Sequence, residues 1–262
     1  MLFRQLFDPE TSTYTYLLAD EATREAVLID SVLEQFDRDR RLLEELGLTL
    51  LYTLETHVHA DHVTASGRFR AAFDSQVVVA APAGVDNADR ELCDGDSLRF
   101  GGHEIEARLT PGHTDGCVTY ACPQARMAFT GDALMIRGCG RTDFQQGDAR
   151  ALFRSVRERI FSLPGDTLLF PGHDYKGRTV TTVDEERRFN PRLGLDRSER
   201  EFEQIMGALD LAYPKRIDVA VPANLRSGEG QAPEPAQSGA SVAAVIAEMG
   251  RQDADFSMGE GI

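Results

Sequence analysis

Short runs of aliphatic and β-branched residues alternate with segments of helical periodicity along most of the chain. Strands are predicted at residues 14–19, 25–29, 48–54, 76–80, 98–100, 105–109, 117–121, 126–130 and 167–170. Helices are predicted at residues 33–46, 61–73, 148–161, 179–189 and 198–211. Strands and helices are thus mixed in both halves of the chain. This order predicts an α/β (α+β) fold, an αββα sandwich of two mixed β-sheets flanked by helices.

The composition changes near the C-terminus. Residues 227–241 are rich in Gly, Ser, Pro, Ala and Gln, which is typical of a flexible linker, and residues 242–249 have the pattern of one short helix. We therefore expect a single folded domain over residues 1–227, including a short C-terminal helical or extended segment. A flexible tail of unknown role is expected over residues 228–262.

The charge balance narrows the classes of partner. The formal net charge is −15 and the pI is about 4.8, so the surface repels phosphate backbones and we expect no nucleic acid partner. No apolar run has the length of a membrane span, and the N-terminus lacks a signal-peptide pattern, so no membrane partner is expected. Four cysteines without a Cys-x-x-Cys pair favour a cytoplasmic protein with reduced thiols.

Side chains that bind metal ions are concentrated in one short motif. Three of the six histidines fall with Asp61 in a His-x-His-x-Asp-His sequence at residues 57–62. Imidazole and carboxylate ligands suit zinc, iron and manganese. Three more candidates follow apolar strands and glycine turns, at His113, Asp132 and His173. Such turns can bring distant residues to one edge of a sheet sandwich, whereas His103 has no such setting and is expected at the surface.

The order of these motifs resembles the metallo-β-lactamase superfamily. The histidine motif at residues 57–62 is followed by Pro-Gly-His-Thr at 111–114, Thr-Gly-Asp at 130–132 and Pro-Gly-His at 171–173. The superfamily includes thiolesterases, lactamases, nucleases and dioxygenases. The fold alone therefore does not determine the reaction.

A further segment is similar to one family within that superfamily, the persulfide dioxygenases. Residues 138–147 read Gly-Cys-Gly-Arg-Thr-Asp-Phe-Gln-Gln-Gly, and His-Asp-Tyr-Lys-Gly at 173–177 and the segment 214–224 agree with the same family. The resemblance covers about residues 1–227. It implies a glutathione-dependent enzyme that oxidises glutathione persulfide with O₂ and water to sulfite and glutathione, in the detoxification of sulfide and persulfide.

The resemblance also implies roles for individual residues. One Fe(II) per chain would be bound by His57, His113 and Asp132, a set that leaves positions open for substrate and O₂. Glutathione would be bound by Arg141 and Tyr175, with Arg192 as a third contact; guanidinium groups suit carboxylates, although each arginine has the alternative of being a solvated surface charge.

Five more residues are expected close to the metal without binding it. The resemblance implies hydrogen bonding around the ligands for His59, Asp61, His62 and His173, although these residues match metal ligands of dinuclear relatives. Cys139 is expected near the iron, with a role as a small buried residue in a tight turn as the alternative. A homodimer is the assembly that the resemblance implies.

Two other functions remain open on the motifs. One is a dinuclear glutathione thioester hydrolase of the glyoxalase II type, which would use a metal-bound hydroxide. Glyoxalase II carries a larger helical C-terminal region, for which this chain has little room before its linker. The other is a non-catalytic sensor of persulfide or metal, against which the intact set of ligands argues.

Overall fold

Two six-stranded sheets pack face to face in the computed structural model, which describes residues 1–229. The first sheet has the order β1-β2-β3-β4-β5-β6 and the second the order β12-β11-β10-β9-β8-β7. The strands are β1 Leu2–Asp8, β2 Thr13–Ala19, β3 Glu25–Ile29, β4 Thr49–Leu54, β5 Gln76–Ala80, β6 Arg90–Leu92, β7 Ser97–Phe100, β8 His103–Leu109, β9 Val118–Cys122, β10 Met127–Gly131, β11 Leu168–Pro171 and β12 Thr181–Thr182.

Helices cover the outer faces of the sheets. Leu17, Leu28 and Leu50 of the first sheet pack against Phe36 and Phe69 of the helices α1 and α2. The outer face of the second sheet packs in the same way against α3 and α5. The helices are α1 Phe36–Glu45, α2 Ser66–Phe73, α3 Ala149–Ser155, which continues as a wider π-helical turn Val156–Ile160, α4 Val183–Phe189, α5 Glu199–Gly207 and α6 Ile217–Asn224. The prediction of an αββα sandwich of two mixed sheets is confirmed.

The main hydrophobic core lies between the two sheets. Tyr16 of β2 contacts Phe129 of β10 with ring centroids 4.9 Å apart, and Phe129 stacks on Phe170 of β11 at 5.3 Å. All three rings are buried. Because adjacent side chains of a strand point to opposite faces, the same strands supply both this core and the outer layers. The aromatic contacts fix the two sheets against each other.

Strand direction determines where the loops meet. Strands β3 to β6 are parallel. In the second sheet β8 and β10 both run antiparallel to β9, and β11 is parallel to β10, so β8, β10 and β11 point the same way. Their C-terminal ends therefore share one edge of the sheet. The backbone N–H of Val118 donates to the carbonyl of Thr56 (2.8 Å), which places the end of β4 against this edge.

Two predicted helices begin later than expected. The helix predicted from residue 61 starts only at Ser66, because Thr64 pairs with Val32 in a β-bridge and residues 61–65 form a loop. The helix predicted from residue 179 starts at Val183, because Thr181 pairs with β11. The structure also adds the strands β1, β6 and β12 and the helix α6.

Within residues 1–229, no helix is long and apolar enough to cross a membrane. Residues 230–262 lie outside the described part of the chain, and they contain most of the predicted linker and the predicted helix at 242–249. The domain boundary after residue 227 therefore stays a prediction.

Candidate metal centre

Three side chains at the shared edge form a group that can hold a metal ion. One donor atom each of His57, His113 and Asp132 lies within 4.8 Å of the other two, and we call these residues the ligand group. His113 Nε2 is 3.8 Å from Asp132 Oδ2, and the rings of His57 and His113 have centroids 4.9 Å apart. The group combines the end of β4 in the first sheet with the ends of β8 and β10 in the second.

A hydrogen bond at Nδ1, the nitrogen that points away from the ligand group, orients each of its two histidine rings. His113 Nδ1 donates to the backbone carbonyl of Arg141 (2.7 Å), which can only accept. Nε2 of this ring is therefore unprotonated in the neutral form and faces the group. Thr56 Oγ1 donates to Asp30 Oδ2 (2.8 Å) and accepts from His57 Nδ1 (3.0 Å). The same logic leaves Nε2 of His57 available to a metal.

The carboxylate of the ligand group is held by His173. Both ring nitrogens of His173 donate, Nδ1 to Asp132 Oδ1 (2.7 Å) and Nε2 to Asp61 Oδ2 (2.9 Å). Burial disfavours the charged imidazole, but Asp132 and Asp61 outweigh it and raise the pKa of His173 well above its ordinary value. Burial alone would raise the pKa of Asp132, yet the charge of His173 lowers it overall. Asp132 is thus ionised, and its Oδ2 accepts no hydrogen bond within residues 1–229.

The donor chemistry of the ligand group fits a divalent transition metal. Burial, followed by the neighbouring charge of His59, holds the pKa of His57 well below its ordinary value, so this ring is the neutral form that ligates metals. Two imidazoles and one carboxylate are the donor set typical of non-haem Fe(II), and zinc accepts the same atoms. The three residues could therefore hold one metal ion and leave further coordination positions open.

A second possible metal group lies beside the first. Donor atoms of His59, Asp61 and His62 are within 4.8 Å of one another. Asp61 Oδ2 also accepts from His62 Nδ1 (2.9 Å), whereas His59 Nδ1 and His62 Nε2 are buried without a hydrogen-bond partner in the described structure. Burial lowers the pKa of His59, but Asp30 and then Glu55 outweigh it and raise the value to about 10. The motif therefore places His59, Asp61 and His62 beside the ligand group, and each of the three side chains makes at least one hydrogen bond there.

Glycines permit the close approaches at this edge. Gly112 has φ +135°, and a Cβ there would overlap the backbone of Leu152. Gly131 has φ +50°, and a Cβ there would overlap the side chain of Thr56. Only glycine accepts both the backbone conformation and the contact. These two residues directly precede His113 and Asp132, so the glycine turns that the sequence shows bring the ligands close to their neighbours.

The segment 138–147 surrounds the ligand group on one side. The Gly140 N–H donates to the backbone carbonyl of Asp132 (2.7 Å). Gln145 Nε2 donates to the carbonyl of Val58 (2.8 Å) inside the histidine motif. Gln145 and Gln146 both have positive φ, at +47° and +58°, a conformation that is rare for residues other than glycine. The Gly-Cys-Gly-Arg-Thr-Asp-Phe-Gln-Gln-Gly sequence thus forms a strained loop around the site.

Two of the three residues expected to bind glutathione, Arg141 and Tyr175, differ in their contacts and exposure. Arg141 forms a two-pronged pair with Asp143 (2.6 and 2.7 Å) and donates to the carbonyl of Ala212 (2.8 Å). Tyr175 is 71% exposed, and its ring is parallel to that of His173 at 6.0 Å. An exposed ring stacked on the network of the ligand group can contact a substrate that approaches the metal.

Arg192 lies against Cys139 of the segment 138–147. Arg192 Nη1 is 3.4 Å from the carbonyl of Cys139, and the Cys139 thiol is buried 3.8 Å from the sulfur of Met206. Burial raises the pKa of the Cys139 thiol to about 11, against the opposing charge of Arg192. The thiol is therefore a small neutral core group. His103 lies at the start of β8, 3.6 Å from Asp20, and is not part of the site.

Sequence reasoning missed four residues of this centre. Asp30 bonds to both Thr56 and His59, and its position directly after β3 is the same strand-end signal that identified Asp132. Thr13 and Asn224 contact the histidine motif from distant parts of the fold and carry no local signal. Glu55 lies two residues before the motif and is 3.4 Å from His59 Nε2, but its position carries no recognisable signal either.

Comparisons with known proteins agree with this geometry. Residues 8–173 match the family model described as Metallo-beta-lactamase superfamily. The chain is 57% identical over 229 residues to "Persulfide dioxygenase ETHE1, mitochondrial" of Homo sapiens, which covers 87% of this chain and 89% of the human protein. The crystal structure of ETHE1 from Myxococcus xanthus superimposes with a TM-score of 0.84 at 53% identity, covering 87% of this chain and all of that one.

A more distant relative represents the alternative function. The hydroxyacylglutathione hydrolase of Cereibacter sphaeroides is 36% identical over 167 residues, which are 63% of this chain and 64% of that protein. Its match is both lower and shorter than that of the human protein. By motif order, fold, site geometry and these relatives, the chain belongs to the metallo-β-lactamase superfamily and, within it, to the family of the persulfide dioxygenases.

Proposed function

We propose that this protein is a non-haem iron dioxygenase that converts glutathione persulfide, O₂ and water into glutathione and sulfite. The reaction balances as GSSH + O₂ + H₂O → GSH + SO₃²⁻ + 2 H⁺. The sulfur–sulfur bond breaks, the terminal sulfur is oxidised, and O₂ is reduced. The observation that supports this function most directly is the ligand group His57, His113 and Asp132. His57 Nδ1, His113 Nδ1 and Asp132 Oδ1 are hydrogen-bonded, and the other donor atom of each side chain has no hydrogen-bond partner in the described part of the chain.

The residues of the chain supply position and charge. When bound, Fe(II) supplies open coordination positions and the redox chemistry that O₂ requires. Two imidazole ligands and the single negative charge of Asp132 would leave a net positive charge at a bound divalent ion, which would attract the anionic persulfide sulfur. His173 and Thr56 fix the directions of Asp132 and His57 through hydrogen bonds. These hydrogen bonds would keep the three side chains in the arrangement for metal binding before the substrate arrives.

Recognition of glutathione is assigned to Arg141, Tyr175 and Arg192. Glutathione carries two carboxylates, and a guanidinium binds a carboxylate through two parallel hydrogen bonds. The Arg141 guanidinium already holds Asp143 in this way, so a substrate carboxylate has to share it or displace Asp143. The exposed ring of Tyr175 supplies an apolar contact beside the ligand group.

The test is oxygen uptake by iron-reconstituted protein with glutathione persulfide, together with metal analysis. About one iron per chain and sulfite as product are the expected results. The variant His113→Ala removes one of three ligands and should abolish both iron binding and oxygen uptake, because an incomplete set binds metal far more weakly. Normal turnover by iron-depleted His113→Ala would refute the dioxygenase.

The second group, His59 with Asp61 and His62, is the observation that keeps a dinuclear hydrolase as the alternative. Two buried ring nitrogens in that group have no hydrogen-bond partner among residues 1–229 and could bind a second metal. Two metals per chain with hydrolysis of a glutathione thioester would establish the alternative, and one iron with no hydrolysis would exclude it.

The cytoplasmic location and the homodimer also stay predictions. Fractionation of cells and light scattering of the purified protein would test them.

A further inference from the structure

One side chain far along the chain contacts the loop that contains the metal-binding motif. We call residues 57–64 the histidine loop. Asn224, the last residue of α6, donates through Nδ2 to the backbone carbonyls of His59 (2.9 Å) and His62 (2.8 Å). Its Oδ1 accepts from the backbone N–H of Thr64 (2.8 Å). A single amide group therefore makes three hydrogen bonds to the backbone of the loop.

We propose that Asn224 is a positioning residue for the metal centre, which keeps the histidine loop in the shape that aims His57 at the metal. This inference rests on the metal site of the proposed function. Asn224 is 5% exposed, and in that environment water cannot replace its hydrogen bonds. The histidine loop lies between the end of β4 and the start of α2, and apart from the β-bridge of Thr64 with Val32 no helix or sheet ladder fixes it.

The segment that carries Asn224 is itself anchored to other parts of the protein. We call residues 217–229 the C-terminal segment. Its Leu225 carbonyl accepts from the Asp86 N–H (2.9 Å), and its Ser227 carbonyl accepts from the Gly67 N–H (2.8 Å). At its end, Glu229 forms an ion pair with Arg70. The segment thus has its own contacts with the body of the protein, and it can hold the loop without depending on the loop for its position.

Apolar side chains of the C-terminal segment also pack beside the histidine loop. Val221 and Leu225 of the C-terminal segment pack against the cluster of Val58, Val77 and Val79. Val58 directly follows His57. A small cavity of about 10 Å³ lies between the His57 side of this cluster and Asn224, which is room for one water-sized molecule at most. Close packing of this kind gives the loop little freedom to move once the hydrogen bonds are made.

Replacement of Asn224 by aspartate changes its hydrogen bonds without changing the size of the side chain. Asp has the size and form of Asn, but an ionised carboxylate only accepts hydrogen bonds. In Asn224→Asp the carboxylate would face the carbonyl oxygens of His59 and His62, which are acceptors as well. The loop would lose two hydrogen bonds and gain repulsion, while the packing volume stays the same.

The control is Asn87→Ala. Asn87 donates to Glu229 Oε2 (2.9 Å) and to the Arg226 carbonyl (3.2 Å), so it contacts the same C-terminal segment. It makes no hydrogen bond to the histidine loop. A general loosening of the segment would affect both variants, whereas a positioning role of Asn224 affects only one.

Two measurements on the full chain decide the question. The first is the rate at which Fe(II) leaves the loaded protein for a chelator in excess. Asn224→Asp should release iron about 10 to 100 times faster than wild type, since metal affinity falls by that range when a hydrogen-bond partner of a metal site is lost. Asn87→Ala should release it at the wild-type rate. The second is the visible absorption of the Co(II)-substituted protein, which reports ligand geometry in folded molecules and should change only in Asn224→Asp.

The outcomes are distinct. A wild-type protein that binds neither Fe(II) nor Co(II) would refute the proposed function itself. Wild-type metal binding together with unchanged iron release and an unchanged Co(II) spectrum in Asn224→Asp would overturn the role of Asn224. If Asn224→Asp does not fold, Asn224→Ser replaces it, because a hydroxyl can donate only one of the two hydrogen bonds. Unchanged release by a folded Asn224→Ser would then overturn the inference.

Discussion

The guanidinium of Arg141 is occupied before any substrate arrives. Its pair with Asp143 and its contact with the ring of Phe144 (4.5 Å from the guanidinium carbon) fix the side chain beside the metal centre, while its backbone carbonyl orients His113. The resemblance to the persulfide dioxygenases identified Arg141 as a candidate for binding glutathione, and a guanidinium group suits a carboxylate. Which carboxylate it meets in the folded chain depends on the loop geometry, and the motif does not contain that information.

Loss of the Arg141 side chain should weaken substrate use more than turnover. In Arg141→Ala we expect kcat/KM for glutathione persulfide to fall about tenfold or more, the value of about 1.5 kcal/mol for a hydrogen bond to a charged group. The backbone carbonyl that holds His113 remains, so iron content should stay at the wild-type level. Steady-state oxygen uptake and iron analysis measure the two quantities.

Arg141→Lys and Arg150→Ala are the controls for that experiment. Lysine keeps the charge but not the two-pronged geometry, so it should recover only part of the loss. Arg150 pairs with Glu203 on the surface, and its removal should leave kinetics unchanged. An unaltered KM in Arg141→Ala would remove Arg141 from the substrate site.

The four cysteines differ in burial, and we therefore expect them to differ in reactivity. Burial raises the pKa of the Cys117 and Cys122 thiols to about 12 and that of Cys139 to about 11, whereas Cys93 is exposed. The thiolate is the form that reacts with alkylating agents. At pH 8 we therefore expect iodoacetamide to modify one thiol per folded chain, at Cys93, and four in denaturant. Intact-mass and peptide analysis would show this, and rapid labelling of Cys139 in the folded protein would contradict it.

At the scale of elements, local patterns predict strands and helices well where the tertiary packing favours the same structure as the local sequence. The strands 14–19, 25–29 and 76–80 are predicted close to their true bounds because their apolar side chains are buried on both faces. The helix predicted from residue 61 is wrong at its start, because contacts from distant Val32 and Asn224 hold Thr64 in a loop. Such contacts join residues that a local pattern cannot relate.

The same distinction applies to the candidate site. Its candidate ligands and glycine turns are visible as strand-end motifs, and the structure brings together His57, His113 and Asp132, the set that the family resemblance implies. Thr13 and Asn224 carry no comparable signal, since their role depends on the tertiary contacts that they make.

The turn before His113 tolerates only glycine. In Gly112→Ala the new methyl group would overlap the Leu152 backbone and require an unfavourable φ, so we expect a loss of about 3 kcal/mol or more in the free energy of unfolding. Metal affinity should fall as well, because His113 is the next residue. Chemical denaturation and iron titration provide the measurements.

Gly207→Ala is the matched control. Gly207 is the last residue of α5, and no atom lies within 4 Å of the position that an alanine methyl group would take. Alanine there should raise stability by about 0.5–1 kcal/mol, because it restricts the unfolded chain without a clash in the folded one. A Gly112→Ala protein as stable as wild type would show that the turn can relax.

At the scale of the whole molecule, the ligand group joins the two sheets. His57 follows β4 of the first sheet, while His113 and Asp132 follow strands of the second. A bound metal ion is therefore a link between the two halves of the sandwich, in addition to the aromatic core. Ligands that bind only the folded state stabilise it by mass action.

Iron should raise the melting temperature of the whole domain. At a free Fe(II) concentration of about 100 times the Kd, the gain is about 2.7 kcal/mol, or roughly 5–10 °C for a chain of this size. Anaerobic calorimetry with and without Fe(II) measures it. His113→Ala should show no such shift, and an equal shift in this variant would place the stabilising metal elsewhere.

The contact between Asn224 and the histidine loop also has a consequence for synthesis of the chain. The residues joined by these hydrogen bonds are separated by 165 and 162 positions. A ribosome that adds about 5–20 residues per second needs about 10–30 s to travel that distance. For that time the nascent protein already carries the complete histidine motif, but the loop lacks its partner from the C-terminal segment. With Asn224 in its proposed positioning role, the metal centre reaches its final shape only after residue 224 has been synthesised.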